Sequence, residues 1–346
     1  SPIQVGLLGF GLAGSVFHAP LILAEASLRL TKIMTRRGLT LECLEAGATA
    51  VATPDAIFND PAITLVVIAT PNQTHFPLAE AALTAGKNVV IDKPFCLNLA
   101  EAEQLAALAA AKNKLLTVFH NRRLDAHFLT VQAALDSGLI GRPLLADLHF
   151  DRYRPLPKDN WREKPEPGAG LYFDLAPHLI DQARQLFGDP ASITAHINSQ
   201  RPEARVDDSF LLVLAYENHP LRVTLRASML VAEPAPRMVI HGSQGTILQT
   251  GFDEQEDDLR MGKRPGDPEW GVCKSLQIAI HQMTEQGKIV IDYPHLKGCY
   301  TEFYHSVANA INHGSPPVVT TGDALRIMQI IEAGWHSSQK GQTVRL

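Results

Sequence analysis

Apolar positions in the first third of the chain follow two alternating rhythms. Short apolar runs at Ile3–Gly9, Leu28–Met34, Leu65–Ala69, Asn88–Ile91 and Leu115–Phe119 read as strands. Leu65-Val66-Val67-Ile68-Ala69 has no polar alternation, the pattern of a strand covered on both faces in a parallel sheet. Between these runs, Leu12–Ala26, Leu39–Ala46, Leu78–Ala85 and Leu99–Lys112 carry helical patterning. Pro20 should bend or restart the first, because its ring blocks a helix interior. Gly86 suits the position just past a helix end. Repeated strand–helix units predict a doubly wound parallel (Rossmann) sheet, an α/β fold.

After Asn121 the rhythm changes. One more helix is expected over Phe128–Leu135. Strands follow at Leu144–Phe150, Ile193–Asn198, Phe210–Tyr216, Leu221–Ser228, Met238–His241, Thr246–Gln249 and Lys288–Asp292. His241-Gly242-Ser243-Gln244-Gly245 reads as the tight turn of a hairpin. Alternation such as Arg222-Val223-Thr224-Leu225-Arg226 predicts a mainly antiparallel open sheet with one less buried face, flanked by helices, an α+β arrangement. Helices return at Tyr300–Asn312 and Asp323–Ser338, the latter with Thr321 as its expected cap. Gly251–Gly271, acidic and rich in Gly and Pro, reads as a mobile loop. The boundaries implied are 1–121 for the first domain and 122–346 for the second, with the last helices as candidates to pack back on the first.

Composition narrows the class. The 346 residues suit about two domains, and 45% hydrophobic with 19% charged residues suits a globular enzyme. A net charge of -5 and the lack of a long basic run argue against a nucleic-acid partner. Cys43, Cys96, Cys273 and Cys299 show no metal-ligand spacing, so reduced thiols and no metal site are expected. No apolar stretch is long enough for a bilayer, and the first strand begins at Ile3, so no membrane partner and a cytoplasmic location are expected.

The candidate chemistry begins at the end of the first strand. Gly9-Phe10-Gly11-Leu12-Ala13-Gly14 is Gly-x-Gly-x-x-Gly between a strand and a helix. Gly9 permits the turn, Gly11 lets the backbone approach a pyrophosphate, and Gly14 allows close helix–strand packing. A dinucleotide is therefore the expected cofactor. NAD-binding folds place a carboxylate at the end of the second strand to hold the ribose hydroxyl. Here that place reads Thr35-Arg36-Arg37, two guanidinium groups suited to a phosphate. NADP is therefore expected over NAD.

Two further segments bear on reactivity. Asp92-Lys93-Pro94 ends a parallel strand, where ligands of such sheets bind. Asp174 and His178, four positions apart after Gly168-Ala169-Gly170, share one face if their segment is helical. Together with the glycine motif and Asp181, these motifs resemble the Gfo/Idh/MocA oxidoreductase family over essentially the whole chain. That family usually has Glu-Lys-Pro where Asp92 precedes Lys93 here. Phe17-His18-Ala19-Pro20, Thr74-His75-Phe76-Pro77, Phe119-His120-Asn121-Arg122-Arg123 and Trp161-Arg162 resemble its NADP-dependent branch, which includes scyllo-inositol dehydrogenases.

The resemblance implies that the Gly9–Gly14 turn cradles the pyrophosphate and that Arg36 and Arg37 take the adenosine phosphate. It places Thr70, Pro71, Asn72 and His75 along the cofactor groove with Asp92. Asn121 and Arg122 would reach the nicotinamide half, and Trp161 and Arg162 would cover it. Lys93, Asp174 and His178 would surround the reacting carbon. Tyr153, Arg154 and Tyr172 are candidates to contact a polyol. The implied reaction is reversible hydride transfer between nicotinamide and a secondary alcohol of a sugar or cyclitol, possible substrates including scyllo-inositol. Either His178 or Lys93 moves the proton. Rival functions are a dinucleotide-sensing regulator, a hydrolase or lyase that recycles the nicotinamide, and a reductase of a non-sugar ketone or imine. An open sheet must cover its apolar face, so a homodimer or homotetramer through the C-terminal sheet is expected.

Overall fold

The five short apolar runs, joined by the unexpected strand Thr49–Val51, pair side by side in a computed structural model that describes residues 1–346. They are β1 (Ile3–Leu8), β2 (Leu28–Met34), β3 (Thr49–Val51), β4 (Ile63–Ile68), β5 (Asn88–Ile91) and β6 (Leu116–Val118). All pairings among them are parallel, in the order β3-β2-β1-β4-β5-β6. Val5, Leu7, Leu65, Val67, Val89 and Val90 are fully buried. Both faces are covered, which is why β4 shows no alternation. The strand order reverses beside β1, so a crevice opens beyond the C-terminal ends of β1 and β4.

The helices of this half are α1 (Ala19–Leu23), α2 (Leu41–Glu45), α3 (Asp55–Phe58), α4 (His75–Thr84) and α5 (Leu99–Ala111). The helix expected over Leu12–Ala26 is divided. Ala13–His18 is wound as a π-helix, and α1 restarts with Pro20 in its first turn.

The rest of the chain adds α6 (Ala126–Asp136), β7 (Pro143–His149), α7 (Leu171–Phe187), β8 (Ser192–Asn198), β9 (Ser209–Tyr216), β10 (His219–Ser228), β11 (Met238–Gly242) and β12 (Gly245–Thr250). It continues with α8 (Gln255–Arg260), β13 (Gln277–Thr284), β14 (Gly287–Asp292), α9 (Thr301–His313), α10 (Thr321–Lys340) and β15 (Val344–Arg345). Nine strands form one sheet in the order β14-β13-β12-β11-β7-β10-β9-β8-β15. It is antiparallel except where β10 runs parallel to β7. The hairpin at His241–Gly245 closes on the pair His241 and Thr246.

The chain divides into two units. One is Ser1–Leu124 with Glu254–Gly271 and Cys299–Arg326; the other is Asp125–Asp253 with Val272–Gly298 and Ile327–Leu346. In the first, α9 supplies Phe303, Tyr304 and Val307, and Tyr300 precedes it, to a core shared with Val5, Leu7, Leu30 and Phe119. In the second, Leu175, Ala176, Leu179 and Ile180 of α7 pack on inward positions of the sheet such as Leu212, Val223 and Leu225.

Three local expectations are corrected. Gly251–Gly271 is not a free loop. Glu256, Asp257 and Asp258 fall in the first turn of α8, where carboxylates suit a helix start, and Gly262 at φ 87° follows its end. The α10 cap is Thr320, not Thr321. The Asp323 backbone N–H donates to Thr320 Oγ1 and the Thr320 N–H donates to Asp323 Oδ2, both at 3.1 Å, a reciprocal capping box. Thr321 instead donates its hydroxyl to the Leu116 carbonyl at 2.6 Å. Finally, β13 stands where no strand was expected, because Ile278 and Ile280 are its only fully inward large apolar residues.

Candidate active site

The first unit gathers its candidate groups at the C-terminal edge of the parallel sheet. The Gly9 N–H donates to the Met34 carbonyl at 3.1 Å, and the Ala69 and Asp92 N–H groups donate to Leu8 and Ile68 at 2.8 Å each. The loops after β1, β2, β4 and β5 therefore leave the sheet side by side.

The glycine turn fits a dinucleotide. Gly9 holds φ 93°, and a Cβ there would stand 2.5 Å from the Ala69 carbonyl oxygen. A Cβ on Gly14 would run into the Gly9 carbonyl. On Gly11 it would meet nothing within 4 Å, so this backbone faces open space, as approach of a pyrophosphate requires. Phe10 is buried and Leu12 is 50% exposed. Arg36 and Arg37 are both exposed just past β2, with the Arg37 N–H donating to Thr35 Oγ1 at 2.9 Å.

Beyond β4, Thr70, Pro71 and Asn72 lead into α4. His75 is buried, with Nδ1 2.7 Å from the Pro94 carbonyl and Nε2 2.9 Å from the Thr70 carbonyl. It links the Thr70 loop to the Asp92-Lys93-Pro94 turn. Lys93 is half-buried. Burial acts to raise the Asp92 carboxyl, but hydrogen bonding to His18 and the fields of His18, His75 and Lys93 outweigh it and hold the group below the ordinary aspartate range.

Asn121 and Arg122, past β6, both engage Glu256 of α8. Asn121 Nδ2 donates to Oε1 and Arg122 Nη2 to Oε2, each at 3.2 Å. Glu256 carries no marker in the sequence, because its acidic, Gly- and Pro-rich segment reads as loop. Arg264 from the same segment donates to both carboxylate oxygens of Glu42 at 3.1 and 3.0 Å.

In the second unit, α7 makes the Asp174–His178 segment helical, so both residues lie on one face of one helix. His178 is 8% exposed. Gly170 at φ 97° precedes the helix, and a Cβ there would strike Asp207 Oδ1. Asp207 caps α7: its carbonyl accepts from the Leu171 N–H at 3.0 Å and its Oδ2 from the Tyr172 N–H at 2.6 Å. Burial, and then the neighbouring Asp208 charge, push the Asp207 carboxyl up to about 6 against the pull of its backbone donors. Arg162 lies over the Trp161 ring at 4.8 Å, and its Nε is 3.7 Å from Asp174 Oδ1. Trp161, Arg162 and Asp174 thus form one cluster. Its loop is pinned by buried Arg201, which donates to Asp208 Oδ2 at 2.8 Å, Glu163 Oε2 at 3.3 Å and the Arg154 carbonyl at 3.1 Å.

Tyr172 is corrected as a substrate contact. It is fully buried and donates its hydroxyl to the Ile331 carbonyl at 2.8 Å. Tyr153 remains 59% exposed.

Both halves match known families. The oxidoreductase family profile for an NAD-binding Rossmann fold matches residues 3–120, and its C-terminal α/β domain profile matches residues 132–346. The chain belongs to the Gfo/Idh/MocA oxidoreductase family. Among its relatives, oxidoreductase YdgJ of Escherichia coli is 40% identical over 344 residues, covering 99% of each chain. The scyllo-inositol 2-dehydrogenase (NADP(+)) IolW of Bacillus subtilis is 36% identical over 345 residues, 99% of this chain and 96% of that one. The solved structure of oxidoreductase YvaA from Bacillus subtilis superposes with a TM-score of 0.95 at 36% identity, covering 100% of this chain and 99% of the other. Membership of the Gfo/Idh/MocA family makes the first unit an NAD(P)-binding Rossmann domain and the protein an oxidoreductase. No helix is long and apolar enough to cross a membrane.

Proposed function

We propose that the protein is an NADP-dependent dehydrogenase acting on a secondary alcohol of a sugar or cyclitol, with scyllo-inositol as the leading candidate. The observation that carries the cofactor choice is the end of β2. Two exposed arginines stand where a carboxylate would serve NAD, and a carboxylate would repel a 2′-phosphate. The substrate class is supported by the name of the relative IolW.

When bound, the nicotinamide accepts or supplies the hydride at its C4. The residues of this chain divide the remaining work. The glycine turn would hold the pyrophosphate, and Arg36 and Arg37 would bind the adenosine phosphate. Thr70, Pro71, Asn72, His75 and Asp92 border the groove at the sheet edge. Asn121 and Arg122, oriented by Glu256, would hold the nicotinamide half, and Trp161 with Arg162 would shield it from water. Lys93 donates a hydrogen bond to the reacting oxygen and stabilises its developing charge. His178 takes the hydroxyl proton in oxidation and returns it in reduction. Asp174, paired with Arg162, orients a substrate hydroxyl. The outer sheet face carries exposed Leu145, Leu211 and Val290, which supports association of copies through that sheet.

The test is fluorescence titration of NADPH and NADH, with a rate panel of inositols, aldoses and sugar acids. Wild type should bind NADPH at least about tenfold more tightly, and Arg36→Asp should erase most of that preference. Equal affinity of wild type for both dinucleotides overturns the cofactor choice. Reduction of dinucleotide by none of the alcohols overturns the substrate class.

A further inference from the structure

The turn that carries Lys93 is tied to a buried polar chain with no role in the reaction as proposed above. It starts in the π-helix after the glycine turn. Short π segments recur at functional sites, where the extra residue in the turn re-aims a side chain. Here the last π residue is His18, whose side chain has 0% exposure. Its Nδ1 is 2.6 Å from the Tyr304 hydroxyl of α9, and its Nε2 is 3.2 Å from Asp92 Oδ1. Phe119 packs on the imidazole at 4.5 Å between centroids, and Phe303 packs edge-on against Phe119 at 4.9 Å. The aromatic wall keeps water from the imidazole, leaving the Tyr304 hydroxyl and Asp92 Oδ1 as the polar atoms beside its two nitrogens.

The direction of the hydrogen bonds follows from the chemistry at the two ends. Tyr304 is buried, and burial with the nearby Asp92 charge keeps its phenol neutral. A neutral phenol can donate or accept, whereas the ionised Asp92 carboxylate on the far side only accepts, so a neutral ring carries its hydrogen on Nε2 and Nδ1 accepts from the phenol. The ring hydrogen is then assigned to Nε2, which stands 3.2 Å from Asp92 Oδ1 but off the line of a full hydrogen bond. The Asp92 side chain keeps 24% exposure, so the group gripped by His18 inside the core also reaches the surface beside Lys93.

We propose that His18, fixed in its Nε2–H tautomer by Tyr304, is a positioning residue that locks the Asp92–Lys93 turn for catalysis. The Asp92 carboxylate has one oxygen 3.2 Å from a rigid, buried imidazole nitrogen, so its field and orientation at the neighbouring ammonium are set before any ligand arrives. The catalytic half of this inference rests on the dehydrogenase reading; the tautomer does not.

Two experiments separate these parts. First, the ring nitrogens are read by long-range proton–nitrogen NMR on protein with isotope-labelled histidine, without cofactor or substrate. The His18 signals, assigned by their loss in His18→Gln, should report a neutral Nε2–H ring, and Tyr304→Phe should abolish that preference. An Nδ1–H tautomer or a doubly protonated ring at neutral pH overturns the chain as drawn. Second, His18→Gln keeps a donor toward Asp92, whereas His18→Met fills the space without one. The Met variant should lose about 10- to 100-fold in kcat, with alcohol KM and NADPH affinity within about twofold of wild type. The Gln variant should recover most of the loss. Equal losses in both variants, or a loss expressed only in NADPH affinity or melting temperature, overturn positioning. Absence of turnover in wild type would refute the dehydrogenase reading and leave the tautomer result standing.

Discussion

Asp207 shows how one residue couples helix α7 to pH. Its two acceptors finish the N-terminus of α7, and Gly170 must be glycine because a Cβ would occupy its place. Burial raises its carboxyl to about 6, while the same group in the unfolded chain titrates at ~3.9. The folded state therefore binds the proton more tightly. Its stabilising contribution is full below the unfolded value and is lost as pH rises through about 6, by at most about 3 kcal/mol for a shift of this size. Asp207→Asn keeps an acceptor for the Tyr172 N–H but removes the titration. Urea midpoints should therefore depend less on pH in this variant between about pH 4 and pH 7. An unchanged slope against wild type would remove Asp207 as its source. Asp207 had no marker in the sequence, since it acts on a helix whose start lies more than thirty positions before it.

At the level of elements, buried charge decides how the loop from Asp151 to Pro167 is held. Arg201 has 2% side-chain exposure and Asp208 has 1%, and the same guanidinium reaches Glu163 and the Arg154 carbonyl. Arg201→Met leaves Asp208 in the core without its cation, a change that costs about 3–5 kcal/mol. The loop bearing Trp161 and Arg162 should also become more sensitive to protease. Urea unfolding and limited digestion measure both, and a midpoint shift worth less than about 1 kcal/mol would show that water replaces the guanidinium. The same element level shows what was legible in the sequence. The β1–π-helix turn, the strand ends carrying Arg36 and Lys93, and the helical spacing of Asp174 and His178 were readable because each depends on local pattern. Glu256, Arg201, Asp207 and Tyr304 were not, because each meets its partner only after distant strands and helices have been brought together. The loop reading of Gly251–Gly271 failed for a related reason: its charges looked like solvated side chains, but Glu256 and Arg264 spend theirs on Arg122 and Glu42.

For the molecule as a whole, the first unit is completed by sequence far from its parallel sheet. Thr117 donates to the Val319 carbonyl at 2.6 Å, and Arg123 reaches both the Val318 carbonyl and Asp323. Tyr300, Phe303, Tyr304 and Val307 are all buried in the core with Leu7, Leu30 and Phe119. Burying four such side chains is worth about 6–12 kcal/mol at 1.5–3 kcal/mol each, as much as the whole stability of an ordinary domain. A fragment of residues 1–124 would keep every strand of the parallel sheet and the entire glycine turn. It would nevertheless expose the apolar face that α9 covers, and His18 would lose Tyr304. We expect this fragment to lack a cooperative thermal transition and dispersed amide NMR signals, and to bind no NADPH. A fragment that melts cooperatively and retains dinucleotide affinity would show instead that the strand–helix units alone hold the turn in place. The measurement bears directly on the site, because it distinguishes a glycine motif that is sufficient for its shape from one that needs the last third of the chain behind it.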